Sequence, residues 1–369
     1  MTARRGVALT PMETRRDVIV RSAVLADRLG YELFVVPEGW GLDSTLVLTE
    51  IALRTTAIRL ASGVLSVWGR TPATLAMSAA TLHQVSGGRY ILGLGASTQA
   101  LAAGFHGVPF EHPARKLRDT VAGVRALLAG RPARLGRAEG GPATGAGAAR
   151  PLRLGQPPAP EVPIWVAALG EHTLRVAAEL ADGWFPAFVT RDSVPAWVTR
   201  LSEQRAPGAP PLTIVSGPVA AAGESAAAAR DVVATCLAWY LAAMGDIYRR
   251  VLSGQGYAAE VEAILAANPR PSPRHGTVPP AAEPLLSQLT AYGTVAEVRE
   301  QVRLWDKAAD ITTLLLPPGM SWPAIEATLL AAAPDGAPEP GPGGGLATVT
   351  NAAPTTDRDG GPMRASWCA

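Results

Sequence analysis

Two ionisable side chains that follow predicted strands are the first candidates for chemistry in this chain of 369 residues. Glu38 ends a short apolar segment and lies two residues before Trp40, and burial beside an aromatic ring raises the pKa of a carboxyl group. His106 lies in the segment that follows a Gly-rich strand. Both could transfer a proton, so we predict them as catalytic residues. An arginine partner would instead make Glu38 part of an ion pair, and the sequence leaves that alternative open.

Metal ions and covalent nucleophiles are not predicted. No two of the five histidines have the spacing of metal ligands on one helix face. Neither Cys236 nor Cys368 follows a predicted strand, and no serine stands in a Gly-x-Ser-x-Gly elbow.

Small residues are concentrated where two other predicted strands end. The segments concerned are Ala96, Ser97 and Thr98, and Ala167, Ala168, Leu169 and Gly170. A helix is predicted to begin at Glu171, and the free N–H groups of a helix N-terminus bind anions, so a phosphate site at Gly170 is one interpretation. An ordinary strand-to-helix turn is the other. Trp40 and Trp68 could form the wall of a flat ligand site or belong to the core.

Strands and amphipathic helices alternate along the chain, which indicates parallel β/α units. Eight strands are predicted, at residues 6–9, 33–36, 58–65, 90–94, 164–168, 184–188, 212–219 and 311–316. Eight units favour a closed (β/α)8 TIM barrel over an open sheet. Such barrels build their sites at the C-terminal ends of the strands, where all the residues named above fall.

Three segments depart from the β/α pattern. Residues 131–162 are rich in Gly, Ala, Pro and Arg and predict a variable surface loop. Residues 226–290, after strand seven, are long and largely helical and predict an insertion. Residues 334–369 are rich in Gly, Pro, Ala and Thr and predict a disordered tail, so the barrel domain is expected to span residues 1–333.

Composition excludes several classes of partner. With 33 Lys and Arg against 31 Asp and Glu, the net charge is +2, and the basic residues are scattered, so no nucleic acid partner is expected. We expect the apolar runs to be too short and too interrupted to span a bilayer, and we expect no signal peptide before the first strand. Only two cysteines occur, which fits a reducing compartment, and we predict a cytoplasmic protein.

Several motifs together resemble the bacterial luciferase-like family of flavin- and deazaflavin-dependent oxidoreductases. They are Leu25-Ala26-Asp27-Arg28-Leu29-Gly30-Tyr31, Arg70-Thr71-Pro72-Ala73, Ser86-Gly87-Gly88-Arg89 with Leu92-Gly93-Leu94-Gly95, and Ala181-Asp182-Gly183-Trp184. They cover roughly residues 4–190, in the family's order and spacing, and the coenzyme F420 branch is favoured.

The resemblance implies a barrel that holds a deazaflavin or flavin ring at its open end, beneath the insertion. It also implies a backbone bulge near Gly63 and Val64, often with a non-prolyl cis peptide, and Ser66 nearby. The ring and phosphate contacts would come from Ala96, Ser97 and Thr98 and from Ala167 to Gly170. A homodimer through helices near strands two and three is implied as well. Some relatives carry an acid after strand four and Asp or His after strand two, and this chain departs from both patterns.

The leading hypothesis is hydride transfer between F420 and a small, mostly apolar organic molecule, such as a biosynthetic intermediate. A monooxygenase that uses reduced FMN and oxygen is the first alternative. A binding protein without redox activity on the same barrel is the second, because a fold does not fix a function.

Overall fold

Eight parallel strands close into a barrel in the computed structural model, which describes residues 3–132 and 151–337. The strands in chain order are β1 (Arg5–Leu9), β2 (Leu33–Val36), β3 (Arg59–Ser62), β4 (Leu65–Ser66), β5 (Tyr90–Gly95), β6 (Ile164–Ala167), β7 (Gly183–Trp184), β8 (Thr213–Ser216), β9 (Val219–Ala222), β10 (Thr290–Gly293) and β11 (Ile311–Leu316). The order β1-β2-β3-β5-β6-β7-β8-β11 is closed by parallel pairing of β11 with β1. The predicted (β/α)8 barrel is confirmed.

Helices surround the barrel. They are α1 (Arg16–Arg28), α2 (Ser44–Arg54), α3 (Pro72–Val85), α4 (Pro113–Leu128), α5 (Glu171–Leu180), α6 (Val194–Glu203), α7 (Ala226–Ala243), α8 (Asp246–Leu252), α9 (Ala258–Ala267), α10 (Glu283–Leu289), α11 (Val295–Arg303) and α12 (Trp322–Ala331). Hydrogen bonds to N-cap side chains fix the first residues of several of these helices. The Asp43 carboxylate accepts from Thr45 N–H at α2, and the Thr71 hydroxyl accepts from Thr74 N–H at α3, ahead of Pro72.

Side chains along each strand point alternately into the barrel and toward the helices, which divides the core into two parts. Leu33, Val35 and Ala61 point into the barrel, where they pack with Trp165 and other side chains. Phe34 and its counterparts on other strands face the helices and form the larger cluster. Buried on both faces, the strands must be apolar throughout, which is why they are readable in the sequence.

Three predicted strands differ from the structure. The third is interrupted between Ser62 and Leu65, and the seventh is interrupted at Gly217 and Pro218. The sixth is only Gly183–Trp184, because Pro186 has no N–H to donate and Phe188 adopts a left-handed backbone with φ 54°. These breaks all lie toward the C-terminal ends of the strands, where the site is expected.

The insertion contains the long helix α7 and the shorter helices α8 to α10, with a π-helical turn at Ser253–Tyr257 between α8 and α9. It ends in β10, a strand that the sequence analysis missed. β10 pairs in parallel with β9, which continues the seventh barrel strand outward. The insertion is therefore joined to the barrel by backbone hydrogen bonds.

The sequence predicts no apolar segment long enough to span a bilayer, and α7 corrects that expectation. It is long and apolar enough to cross a membrane by length and composition alone. Half of it is buried in the protein, and Val233, Leu237 and Leu241 belong to the core cluster. That burial is typical of a core helix, so length and apolarity are weak evidence for a membrane span here.

Two predicted segments lie partly outside the described residues. Of the variable loop, residues 133–150 are not described, and residues 151–162 contain no strand. Of the tail, residues 338–369 are not described, whereas Ala337 packs against the core. The predicted domain limits stay a prediction.

Candidate active site

A cavity of about 1590 Å³ opens at the C-terminal ends of the barrel strands. Sites for a single drug-sized ligand usually measure about 300 to 1,000 Å³. The larger volume provides room for a cofactor and a substrate side by side. Its walls come from the exits of β2, β5, β6 and β7, from the N-termini of α4 and α5, and from the insertion.

The structure brings most of the predicted cofactor contacts together. The cavity is lined by Trp40, Ala96, Ser97, Thr98, Ala167, Ala168, Leu169 and Gly170. Gly63, Val64, Ser66, Trp68, Glu38 and His106 are not among its lining residues. The functional role of every one of these residues stays a prediction.

The interruption of the third strand is the bulge that the resemblance implies, and the peptide bond between Gly63 and Val64 is cis. Ser62, which is buried, holds it to β5: its hydroxyl donates to Gly93 O at 3.1 Å and accepts from Gly93 N–H at 2.9 Å. Tyr90 Oη also donates to this hydroxyl, at 3.1 Å. Ser62 is a positioning residue that the sequence analysis did not single out.

Gly93 and Gly95 admit this bulge rather than a ligand. A Cβ atom at Gly93 would lie 1.9 Å from Ser62 O, and one at Gly95 would lie 2.6 Å from Val64 Cγ2. The space beside these two glycines is therefore occupied by protein atoms. The space is filled by the neighbouring strand, which places Val64 against β5 just before the cavity-lining Ala96.

Two tryptophans hold the strand exits from behind. Trp68 Nε1 donates to Ala96 O at 2.7 Å, and its ring packs on Phe110 at a centroid distance of 5.4 Å. Trp184 Nε1 donates to Ala168 O at 2.8 Å. Each indole is hydrogen-bonded to the backbone of a residue that lines the cavity.

The N-terminus of α5 opens into the cavity. Gly170 is the N-cap residue and supplies no side chain, and Glu171, His172 and Thr173 form the first turn. The hydrogen bonds of the described residues include none from these three N–H groups. A Cβ atom at Gly170 would have only Thr173 Oγ1 within 4 Å, at 3.6 Å. The turn is therefore an open, electropositive site.

Glu38, two residues after the end of β2, lies in an ion pair with Arg70. Its carboxylate accepts both terminal N–H groups of Arg70, together with Ser44 N–H at 3.1 Å and Ser44 Oγ–H at 3.2 Å. The side chains of Glu38 and Arg70 are only 12% and 15% exposed, and the hydrogen bond to Glu38 raises the pKa of Arg70. Arg70 also reaches Asp43 Oδ2 at 2.9 Å. This is the arginine partner that the sequence left open.

The histidines divide into two groups. The ring of His106 lies against Gly69, where a Cβ atom would be 2.9 Å from Cε1, and beside Phe105. His112 and His172 line the cavity instead. The sequence shows that these two histidines lie at the N-termini of α4 and α5. Only the fold shows that they line the cavity.

An aromatic wall is the feature that the sequence analysis missed most completely. Trp239 and Tyr248, from α7 and α8, line the cavity together with Trp40. The Trp40 and Trp239 ring centroids are 6.3 Å apart. Phe188 and Tyr240 pack behind them, with centroids 4.5 Å apart.

Backbone strain is concentrated around the same cavity. Within residues 3–132 and 151–337, three non-glycine residues have a positive φ: Ser97 at 60°, His112 at 48° and Phe188 at 54°. Ser97 and His112 line the cavity, and Phe188 supports its aromatic wall. Such conformations cost free energy and cluster at functional sites. Together with the open N-terminus of α5 and the cavity at the strand ends, they mark a candidate ligand-binding site of a (β/α)8 barrel.

The chain belongs to the luciferase-like monooxygenase family, whose sequence profile matches residues 1–310. This confirms the family resemblance. A Mycobacterium tuberculosis protein provisionally named a coenzyme F420-dependent oxidoreductase is 29% identical over 323 residues, which cover 80% of this chain and 88% of that protein.

Solved structures share the fold. The coenzyme F420-dependent tetrahydromethanopterin reductase of Methanopyrus kandleri has a TM-score of 0.65 and 19% identity, over 90% of this chain and 98% of the reductase chain. The oxygenating component of the Pseudomonas putida 3,6-diketocamphane monooxygenase, solved with FMN, has a TM-score of 0.63 and 19% identity, over 90% and 97% of the two chains.

Proposed function

We propose that this protein is an oxidoreductase that transfers a hydride between coenzyme F420 and a small, mostly apolar organic substrate. The mycobacterial relative, which is named for F420, supports the cofactor. The observation that carries the proposal is the cavity, which joins an uncapped helix N-terminus to an aromatic wall within one space. An anionic cofactor and an apolar substrate need these two surfaces.

The residues present fit a phosphorylated, ring-bearing cofactor. The open first turn of α5 would hold the phosphate, because Gly170 leaves its N–H groups uncovered. Ala96, Ser97 and Thr98 would contact the ring, with Val64 of the bulge packed behind β5. When bound, reduced F420 supplies the hydride.

The chain's own contribution is to position and enclose the reactants. Trp68 and Trp184 fix the carbonyls of Ala96 and Ala168, so the strand exits are preorganised. Trp239 and Tyr248 of the insertion line the cavity and would exclude water from the reacting groups once substrate is bound.

Proton transfer by Glu38 or His106 remains a proposal. Glu38 would have to act while it is bonded to Arg70, and neither residue lines the cavity. His172, which does line it, is a further candidate by position. Activity measurements on Glu38→Gln, His106→Asn and His172→Asn distinguish them, because removal of a general acid or base costs about 10²- to 10⁴-fold in turnover.

Cofactor titration tests the proposed function directly. Purified protein is titrated with oxidised and reduced F420 and FMN, and binding is followed by cofactor fluorescence or absorbance. We expect F420 to bind more tightly. Preferential binding of reduced FMN would favour the monooxygenase, an alternative supported by the fold shared with an FMN enzyme. Binding of neither cofactor would favour a non-redox binding protein.

We also propose that the protein is a cytoplasmic homodimer. Leu46 and Leu53 on α2 are 71% and 73% exposed, and Met77 on the adjacent α3 is 55% exposed. These exposed apolar side chains lie on two neighbouring helices, where a second copy would cover them. Sedimentation should show a dimer that Leu46→Glu with Leu53→Glu dissociates, whereas Leu304→Glu, at an exposed leucine elsewhere, should not. A monomeric wild-type protein would contradict the proposal.

A further inference from the structure

The aromatic wall is built from distant parts of the chain into one continuous surface. Trp40 follows β2, Trp239 lies near the C-terminal end of α7, and Tyr248 lies on α8. Tyr248 packs on Phe188 at 5.2 Å and on Tyr240 at 5.8 Å between ring centroids. Since Phe188 and Tyr240 are 8% and 5% exposed, they hold the lining rings from behind.

The cation–π pairs of the described residues involve tryptophans outside this wall. Within the described part of the chain, the lysine and arginine groups that stack on tryptophans lie over Trp322, Trp165, Trp68 and Trp197. Trp40 remains 46% exposed although it packs against Trp239. An exposed indole at the edge of a cavity offers a large apolar contact at little cost in side-chain entropy.

Tyr248 adds one polar group to this apolar surface. Its hydroxyl has no hydrogen-bond partner among residues 3–132 and 151–337. Burial raises the pKa of Tyr248 to about 12, so the group stays protonated and can donate at neutral pH. A hydroxyl in such a site selects ligands that carry an acceptor, because an unpaired polar group costs binding free energy.

We propose that the wall selects a planar aromatic substrate, which packs on Trp40 and Trp239 while its carbonyl or hydroxyl oxygen accepts a hydrogen bond from Tyr248. This inference rests on the proposed oxidoreductase function and narrows its substrate class from apolar to aromatic. Trp40 and Trp239 determine specificity for the ring, and Tyr248 orients the polar group.

Two matched ketones serve as probes because the physiological substrate is not identified. Acetophenone and cyclohexyl methyl ketone carry the same acetyl group on a planar and a saturated ring. Each is titrated calorimetrically into the full-length protein, with and without saturating F420. We expect acetophenone to bind about 2- to 10-fold more tightly, the range of aromatic pairing.

Three variants locate the effect. Trp40→Leu, at an exposed position that should not disturb folding, is expected to remove the preference for the planar ring. Tyr248→Phe keeps the ring and should weaken both ketones by about 2- to 10-fold. Tyr257→Phe removes a hydroxyl from the same insertion outside the cavity lining and should change neither affinity.

The outcomes separate this inference from the proposed function. Equal affinities for the two ketones, or a preference that survives Trp40→Leu, would overturn the aromatic site. Unchanged ketone binding in Tyr248→Phe would overturn the role of its hydroxyl. If F420 fails to bind while the ring preference persists, the proposed cofactor is wrong and the aromatic site stands.

Discussion

Replacement of Gly170 by aspartate should strengthen the fold and weaken cofactor binding at the same time. Gly170 has φ −87° and ψ 150°, an extended conformation that any residue adopts, and there is room for a Cβ atom. An N-cap aspartate accepts hydrogen bonds from the N–H groups of the first helical turn. In Gly170→Asp these donors would be taken by the protein's own carboxylate instead of by a bound phosphate.

The expected magnitudes have opposite signs. Aspartate exceeds glycine as an N-cap by a few tenths of a kcal/mol, and a negative charge at a helix N-terminus adds about 0.3 to 1 kcal/mol, so unfolding should cost about 0.5 to 1.5 kcal/mol more. Two unit negative charges about 4 Å apart repel by about 1 kcal/mol in water and about 4 kcal/mol at an effective dielectric constant of 20. Cofactor binding should therefore weaken by about 5- to 1,000-fold.

The assay combines chemical unfolding of the apoprotein with fluorescence titration of F420 and of FMN, both of which carry phosphate. Gly170→Asn caps the helix without a charge and should keep the gain in stability with a smaller loss of affinity. Gly170→Ala adds only the Cβ atom and should leave affinity nearly unchanged. Wild-type affinity in a folded Gly170→Asp protein would refute the phosphate site at α5.

Three other substitutions test individual interactions. Glu38→Gln should lower the free energy of unfolding by about 1 to 3 kcal/mol because it weakens charged hydrogen bonds to Arg70. Glu50→Gln, which changes another ion-paired glutamate on α2, is the control. If Glu38→Gln and the control have equal turnover, Glu38 does not transfer the proton. The Asp27 carboxylate accepts hydrogen bonds from the N–H groups of Thr56, Ala57 and Ile58. Burial raises the pKa of Asp27, but these hydrogen bonds lower it more, so the folded pKa lies below the unfolded value of about 3.9. Asp27 therefore stabilises the fold above the unfolded pKa, and this stabilisation is lost as the pH falls through the folded pKa. Denaturation at pH 7 should show Asp27→Asn destabilised by about 1 to 3 kcal/mol relative to Asp231→Asn, with the gap closing in acid, and a gap independent of pH would contradict this. Gly245→Ala should lower the free energy of thermal unfolding by about 1 to 3 kcal/mol, because the φ of 85° and ψ of −179° at Gly245 suit only glycine. Gly254 has a negative φ and open space around it, so Gly254→Ala should cost less. Equal losses in the two variants would show that backbone conformation is not the cause.

The sequence by itself determined the elements and the place of the site. Leu33–Val36 and Tyr90–Gly95 are apolar throughout because barrel strands are buried on both faces, and Thr71 with Pro72 marks a helix start by local hydrogen bonding. The cis peptide between Gly63 and Val64 was expected through the family resemblance, since its motifs are local too. Gly170 was placed at the cavity by the rule that barrel sites lie at strand exits.

Only the tertiary structure decided which side chains meet. Glu38 and Arg70 are 32 positions apart, and no local pattern distinguishes their ion pair from a free carboxylate at the same strand exit. Trp40 and Trp239 come from distant parts of the chain and meet because the insertion packs against the segment that follows β2. β10 is a strand because β9 offers it hydrogen bonds, not because the sequence Thr290–Gly293 favours one. Local propensities define elements, whereas contacts between distant residues depend on how the closed barrel packs them.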